Sequence, residues 1–427
     1  MTENTGITEK ITVRQVGADE AETLLAADEL IWAASGSEPL DVRLQGVPIR
    51  AGFVAERDGE IAGICGSWDL DIAVPDGGSG ARLVPTEGLT WVGVHPDHRR
   101  RGVLTAMVRH HLEWTAGQGR SLAALKASEA GIYGRFGYGV ASTVIRASFG
   151  RGTRFEAPAA VGELADATRT TFETATPEQT ARLRALVQRC ATAGPSGSVV
   201  RSEDDIRRHL TDVPEYRVGL EPRRVLWATR DGDDVGFAVL RRTPKWTDGS
   251  PHGEVEVFHF GSTDAGARLA LARRLVDFDL MGSTINWVPL DDPLVLWSAS
   301  PRTVTGGLTD SLWIRLVDLP AAVADRGHAV DCDLRVEVRD DVLGANQGVW
   351  HWQSVDGAGR LERVDGQPAE PADLSLSIND LGAVWLGGQT LGARAAAGFV
   401  TEHRPGAVAA LDAALRTAVG PTAAADF

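Results

Sequence analysis

One stretch constrains this chain more than any other, the run WVGVHPDHRRRGV from Trp91 to Val103. Leu89 to Val94 reads as a short apolar strand, and from Gly102 to Trp114 the apolar residues recur at helical spacing. Between them lie Arg99, Arg100 and Arg101, directly before Gly102. The first N–H groups of a helix have no partner within it, and its dipole is positive at that end. Free amides and guanidinium charge therefore converge on one point, where a pyrophosphate would fit. Gly102 has no Cβ to hold a phosphate away from the backbone. Three arginines alone favour the plainer reading, a solvated basic turn.

The charge of the whole chain argues against a general polyanion-binding surface. Its 427 residues carry 43 Lys and Arg against 58 Asp and Glu, a net −15, which opposes nucleic acid and anionic lipid and suits a cationic or neutral partner. The three cysteines, Cys65, Cys190 and Cys332, are too few for a disulfide framework and too widely spaced for a zinc ribbon. With no apolar leader in the first ten residues and no run long enough for a membrane span, the expectation is a cytoplasmic protein that meets no membrane. His110-His111 has no partner at metal-ligand spacing, so no metal is expected.

At roughly 150 residues per domain the length predicts two to three domains. A helix is expected from Asp19, as N-cap, to Ala34, then a hairpin from Phe53–Glu56 through Asp58-Gly59 to Ile61–Trp68, a loop over Val74–Ala81, and a strand over Leu122–Ala127. The pattern returns more faintly at Val225–Thr229, Val235–Leu240, Glu254–Phe260 and a helix over Ala265–Leu280, which suggests a duplication. In this second copy His259-Phe260-Gly261-Ser262-Thr263-Asp264 replaces the arginine turn. After about Ser311 the alternations Leu334, Val336, Val338 and Leu374, Leu376, Ile378 predict half-buried strands, followed by a helix from Ala407 to Val419. The segmentation is 1–150, 151–305 and 306–427.

A second segment changes the odds on the arginine turn. SEAGIYGRFGYGVAS, Ser128 to Ser142, follows the candidate strand at Leu122 and reads as a short helix ending near Tyr133, then Phe136, Gly137 and Tyr138. The ordered pair resembles the acyl-CoA site of the GNAT superfamily of N-acetyltransferases. It departs from the usual motif at Leu104, where Gly or Ala is common. More closely, VPTEGLTWVGVHPDHRRRG, KASEAGIYGRFGYG and LWIRLVDLPAAVADRG resemble the enhanced-intracellular-survival family of acetyltransferases over nearly the whole chain.

That resemblance implies a mixed α/β and α+β chain of two tandem GNAT-fold domains, the second degenerate, and a C-terminal domain similar to sterol carrier proteins. It also implies acetyl-CoA as cosubstrate, a homohexamer, and acetylation of amines on aminoglycosides or lysine-bearing peptides. Carried over residue by residue, the backbone of Val92 and Val94 would hold the thioester and pantetheine, and Arg99, Arg100, Gly102, Val103 and Leu104 would line the pyrophosphate turn. Tyr133 would be the general acid, while Tyr138 reads as core.

The terminal carboxylate of Phe427, after Asp426, would orient the ammonium and relay its proton, directly or through water, because an α-carboxylate with a pKa near 3.5 is a weak base. Asp28 and Trp32 in the first helix are candidates to receive a polycationic amine, against the equal alternative of a solvated helix face. Two other readings stand beside this one, a lysine or peptide N-acetyltransferase and a non-catalytic lipid or acyl-CoA binding protein. The twelve tryptophans are expected mainly in strands of the C-terminal sheet.

Overall fold

The computed structural model describes residues 10–32, 39–44, 51–217, 219–298, 302, 304, 306–364 and 371–422. The chain starts with β1 (Ile11–Gln15), a 3₁₀ turn over Ala18–Glu20, α1 (Ala21–Trp32) and α2 (Leu40–Leu44). Asp19 lies inside the 3₁₀ turn and does not cap the helix; the entry is closed by Glu20, whose carboxylate accepts from the Gly17 amide at 3.0 Å. Three antiparallel strands follow, β2 (Gly52–Arg57), β3 (Glu60–Pro75) and β4 (Ala81–Val94). The expected loop over Val74–Ala81 is therefore shorter, because both strands run to its ends and pair Pro75 with Ala81. Next come α3 (Val103–Gly117), β5 (Leu122–Lys126), a 3₁₀ turn over Tyr133–Phe136 and β6 (Gly139–Val140). The short helix thus begins at Tyr133 and does not end there.

The next strand, β7 (Thr143–Phe149), leaves this sheet. The second part contains α4 (Ala159–Asp166), β8 (Arg169–Thr174), α5 (Thr180–Ala193), β9 (Val199–Arg201), α6 (Glu203–Thr211), β10 (Arg224–Arg230) and β11 (Asp233–Thr243). A small hairpin of β12 (Trp246–Thr247) and β13 (Ser250–Pro251) leads to β14 (Gly253–Ser262), α7 (Ala265–Val276), β15 (Met281–Val288), α8 (Pro293–Leu296) and β16 (Leu308–Asp310). The helix predicted over Ala265–Leu280 closes at Val276. Then β17 (Leu312–Leu316) crosses back into the first sheet, between β5 and β6.

The two acetyltransferase-like sheets thus exchange strands. The first has the order β1-β2-β3-β4-β5-β17-β6, with β9 beside β3, and the second β16-β7-β15-β14-β11-β10-β8. Thr143–Phe149, which the sequence groups with the first domain, pairs with β15 and β16; Leu312–Leu316, grouped with the third, pairs with β5 and β6. A short apolar strand carries no mark of its destination, because any open sheet edge satisfies its amides.

The last part contains α9 (Leu319–Asp325), β18 (Cys332–Arg339), β19 (Gly348–Val355), β20 (Ala358–Arg363), β21 (Leu374–Ser377), α10 (Ile378–Val384), α11 (Leu391–Ala396), β22 (Thr401–Glu402) and α12 (Ala407–Ala414). Leu334, Val336 and Val338 are buried as their alternation predicts, but the tryptophans are not mainly in this sheet: Trp350 and Trp352 stand on β19, Trp385 closes α10, and the other nine lie outside it. Ile378 is not a strand residue but the first of α10, since the hydroxyl of Ser377 accepts from the Asp380 amide and the Asp380 carboxylate accepts from the Ser377 amide. The final helix is shorter than Ala407–Val419, ending at Ala414. One core joins this layer to the first sheet, including Leu70, Ile314, Leu316, Leu374 and Leu381. No helix among the described residues is long and apolar enough to cross a membrane.

Candidate active site

The site is built on a parting of strands. Parallel pairing of β4 with β5 runs from Thr86–Leu122 to Gly88–Ala124 and stops, although β4 continues six residues to Val94. Against β3, the register of β4 slips between Ile64 and Gly66, leaving Trp91 and Val92 opposite Cys65 alone. This is a β-bulge, and Trp91 adopts φ +53° within it. The backbone of Val92 and Val94, chosen from the sequence, thus lies on a strand segment that has left its parallel neighbour.

Two residues of α1 hold the bulge from one side. Asp28 accepts a hydrogen bond from the Trp91 indole, and Trp32 packs against Gly93, where a Cβ would come within 2.5 Å of Ile31 and 3.2 Å of the Trp32 ring. Trp32 remains 52% exposed, so its ring is available beside the parted strand. The structure therefore brings both candidate substrate residues to β4, but gives Asp28 a task the sequence did not indicate: fixing Trp91.

Beyond Val94 the chain turns through a 3₁₀ segment, Pro96–His98, in which the His95 Nδ1 accepts from the Asp97 amide at 3.3 Å. Arg100 then adopts φ +61° and Gly102 φ +86°, and α3 starts at Val103 with no side chain capping it and no acidic residue in its first turn. A Cβ at Gly102 would meet only Ile11 at 3.7 Å, so its left-handed conformation is what glycine supplies there. Arg99, Arg100 and Arg101 are exposed and have no ion-pair partner among the described residues. The Val103 side chain is buried and Leu104 half-buried, which leaves their amides for a ligand.

The second copy tests what that vacancy of partners means. At the start of α7, the Asp264 carboxylate accepts from the Ala267 amide at 3.0 Å and pairs with Arg230 at 2.5 Å. There the anion at the helix N-terminus belongs to the protein. At α3 nothing of the kind is present among the described residues, so the residues of the first cleft fit an external pyrophosphate and those of the second do not.

Tyr133 opens the 3₁₀ turn on the far side of the parting and packs against the same apolar cluster as Val92, Val94 and Leu104. Its hydroxyl has no hydrogen-bond partner among the described residues. Burial, with smaller contributions from Glu129 and the Cys65 thiol, raises its pKa above the ordinary tyrosine value. The Tyr138 ring stands edge-on to it at 6.2 Å and is fully buried, as expected of a core residue. Burial pushes the Cys65 thiol up to about 12, so it stays protonated.

Sequence reasoning missed how Tyr133 is held. Arg315 on β17 donates through Nε to the Phe136 carbonyl at 2.8 Å, through one terminal nitrogen to the Leu316 carbonyl at 2.7 Å, and through the other to both carboxylate oxygens of Asp340 at 2.7 Å in a fully buried pair. Asp340 also accepts from the amides of Val342 and Leu343 and from Asn346. On α10, Asn379 donates to the Tyr138 carbonyl, and Gly139 sits so close to α10 that a Cβ would overlap the backbone of Asn379 and Ala383. Gln389 donates to the Val140 carbonyl at 3.0 Å. The third domain thus packs against the segment that follows the tyrosine, from Phe136 to Val140. The one available signal was an arginine in the apolar string LWIRLV. Asp426 and Phe427 lie outside the described residues.

Comparison with known proteins agrees with this geometry. The acetyltransferase (GNAT) domain family matches residues 12–141, a second acetyltransferase (GNAT) domain family residues 197–316, and the sterol carrier protein domain family residues 319–423. N-acetyltransferase Eis of Mycobacterium tuberculosis is 30% identical, over 88% of this chain and 89% of its own. The chain belongs to the Eis family of GNAT N-acetyltransferases.

An uncharacterized N-acetyltransferase of Streptomyces avermitilis is 35% identical, over 84% of this chain and 85% of its own. The crystal structure of Eis1 from Mycobacterium abscessus superposes with a TM-score of 0.80 at 29% identity, covering 97% of this chain and all of that one. A GCN5-related N-acetyltransferase from Anabaena variabilis shares the fold, with a TM-score of 0.82 at 16% identity. The Eis-type chain described here is therefore an N-acetyltransferase with two GNAT domains and a sterol-carrier-like third. Among its described residues no group of three or more His, Cys, Asp or Glu side chains could hold a metal ion.

Proposed function

We propose that this N-acetyltransferase takes acetyl from acetyl-CoA and transfers it to primary amines of aminoglycosides or similar polyamines. One observation carries the reading: the first cleft combines an uncapped α3 N-terminus, preceded by three arginines with no ion-pair partner among the described residues, with a partly buried Tyr133 whose hydroxyl has no described partner. The duplicated cleft has its anion site filled from within. The cosubstrate supplies the acetyl group as a thioester, and the remaining work falls to the chain.

In this reading Arg99, Arg100 and the amides of Gly102, Val103 and Leu104 hold the pyrophosphate, and the Val92 and Val94 backbone aligns the acyl arm. Tyr133 keeps a proton at its hydroxyl and gives it to the sulfur as the carbon–sulfur bond breaks, and the proton that nitrogen sheds on becoming an amide restores the hydroxyl. A raised pKa suits that role, because the group must remain protonated until the thiolate forms. The Phe427 carboxylate orients the ammonium and accepts its proton, directly or through water, before nitrogen bonds to the acetyl carbon. Trp32, exposed beside Gly93, stacks on the cation, and Asp28 and Asp426 add negative charge. A homohexamer in the cytoplasm belongs to the same proposal, and light scattering of the purified chain tests its assembly.

The test is thiol release from acetyl-CoA against a panel of aminoglycosides, small polyamines and lysine peptides. Turnover on several aminoglycosides supports the proposal. Turnover confined to lysine peptides would replace the substrate class while keeping the reaction.

A further inference from the structure

The second acetyltransferase-like domain has lost its anion site but not its cleft. Strands β14 and β15 run parallel from Gly253–Met281 to Val257–Ile285 and then part, as β4 and β5 do. Beyond Val257, β14 continues to Ser262 with β11 on one side, and among the described residues no strand pairs with its other edge. A cavity of about 230 Å³ occupies the parting. His259, Gly261, Ser262 and Ala265 line one side, Trp287 the other, and Cys190 of α5 the back.

The charges of this cavity are already partnered. Asp264 caps α7 and pairs with Arg230, Arg268 pairs with Asp292 with Nε to Oδ1 at 2.9 Å, and Asp291 accepts from the Gly420 amide at 2.6 Å. The lining includes three aspartates against one arginine, so a phosphate would face net negative charge and a carboxylate fixed where its own oxygens would sit. An uncharged chain meets no such obstacle. The bare strand edge presents backbone donors and acceptors at the 3.3–3.4 Å spacing that an extended amide chain can pair with.

We propose that this second cleft binds an uncharged, amide-bearing extended chain of the pantetheine class and excludes its phosphorylated forms, CoA included. The inference rests on reading the first cleft as the acyl-CoA site, because the two partings are counterparts. It assigns the second domain a ligand of its own rather than the part of a spacer.

Calorimetric titration of the full-length chain tests it, with pantetheine as probe after saturation with CoA. About one pantetheine per chain is expected to bind beside one CoA. Ala265→Phe, which fills the cleft from the first turn of α7, should abolish that uptake and leave acetyl transfer at the wild-type rate. Asp264→Ala frees Arg230 and the first amides of α7, and should raise CoA uptake from about one to about two per chain. No pantetheine uptake by the CoA-saturated wild type, uptake unchanged by Ala265→Phe, or two CoA bound by the wild type would each overturn the proposal. A wild type that binds no CoA refutes the first-cleft reading instead, and the difference in pantetheine uptake between wild type and Ala265→Phe still decides the second.

Discussion

Arg315 donates to the Phe136 carbonyl at 2.8 Å, across 179 positions of sequence, and so ties the end of the Tyr133–Phe136 turn to a strand that returns after the whole second domain. The guanidinium is completely buried with Asp340. Removing one partner of such a pair strands a charge, which costs about 3–5 kcal/mol, whereas a swap for apolar residues of similar volume need not. Arg315→Met should therefore lower unfolding stability by an amount in that range, read from the denaturant midpoint. Acetyl transfer should fall with it because Phe136 loses its anchor three residues from Tyr133.

Gly139 offers a cleaner contrast. A Cβ there overlaps the backbone of α10, which cannot yield as a side-chain tip can, while at Gly131 it meets nothing within 4 Å. Gly139→Ala should reduce both stability and turnover, and Gly131→Ala should leave both near wild type. Equal behaviour of the two variants in thermal unfolding and thiol release would contradict the role given to the third domain.

The Asp28 carboxylate is predicted to act through Trp91 as well as through its charge. Asp28→Asn keeps an acceptor for the indole, whereas Asp28→Ala removes it and leaves only the packing of Trp32 and Ile31 against the bulge, and a hydrogen bond to a charged group is worth about 1.5–3 kcal/mol. Asp28→Ala should lower kcat/KM roughly 10- to 100-fold, with Asp28→Asn falling between it and wild type. Steady-state kinetics at fixed acetyl-CoA distinguishes them.

Burial holds the His111 and His259 pKa values down at about 3 and His328 at about 4. Because the unfolded values are near 6.5, the unfolded chain takes up these protons first as pH falls, so stability is full above about 6.5 and is lost progressively down to about 3. One unit below the unfolded value each such histidine costs about 1.4 kcal/mol. Denaturant midpoints should drop between pH 7 and 5.5, and His259→Gln should flatten part of that slope.

Much of the first cleft was legible because its motifs are local. The arginine turn, the glycine before α3 and Tyr133 each lie beside the residues that give them meaning, and their spacing survives into the structure. The strand exchange was not legible, since Val144, Ile145 and Ala147 of β7 and Leu312, Ile314 and Leu316 of β17 are buried apolar residues that suit either sheet equally. Ile378 misled by its alternation with Leu374 and Leu376, although Ser377 and Asp380 carried a capping signal. Arg315 and Asn379 act on residues 179 and 241 positions away, a relation that no local pattern encodes.

The central claim, that Tyr133 supplies the proton in the first cleft, is tested most directly by comparing untagged wild type with Tyr133→Phe in thiol release, alongside calorimetric CoA binding. The account predicts CoA affinity within a few-fold of wild type and turnover lower by at least ~10². Because the tyrosine pKa is raised, the wild-type rate should show no loss from its ionisation below about pH 10. Near wild-type turnover in the variant, with CoA still bound, would contradict the assignment.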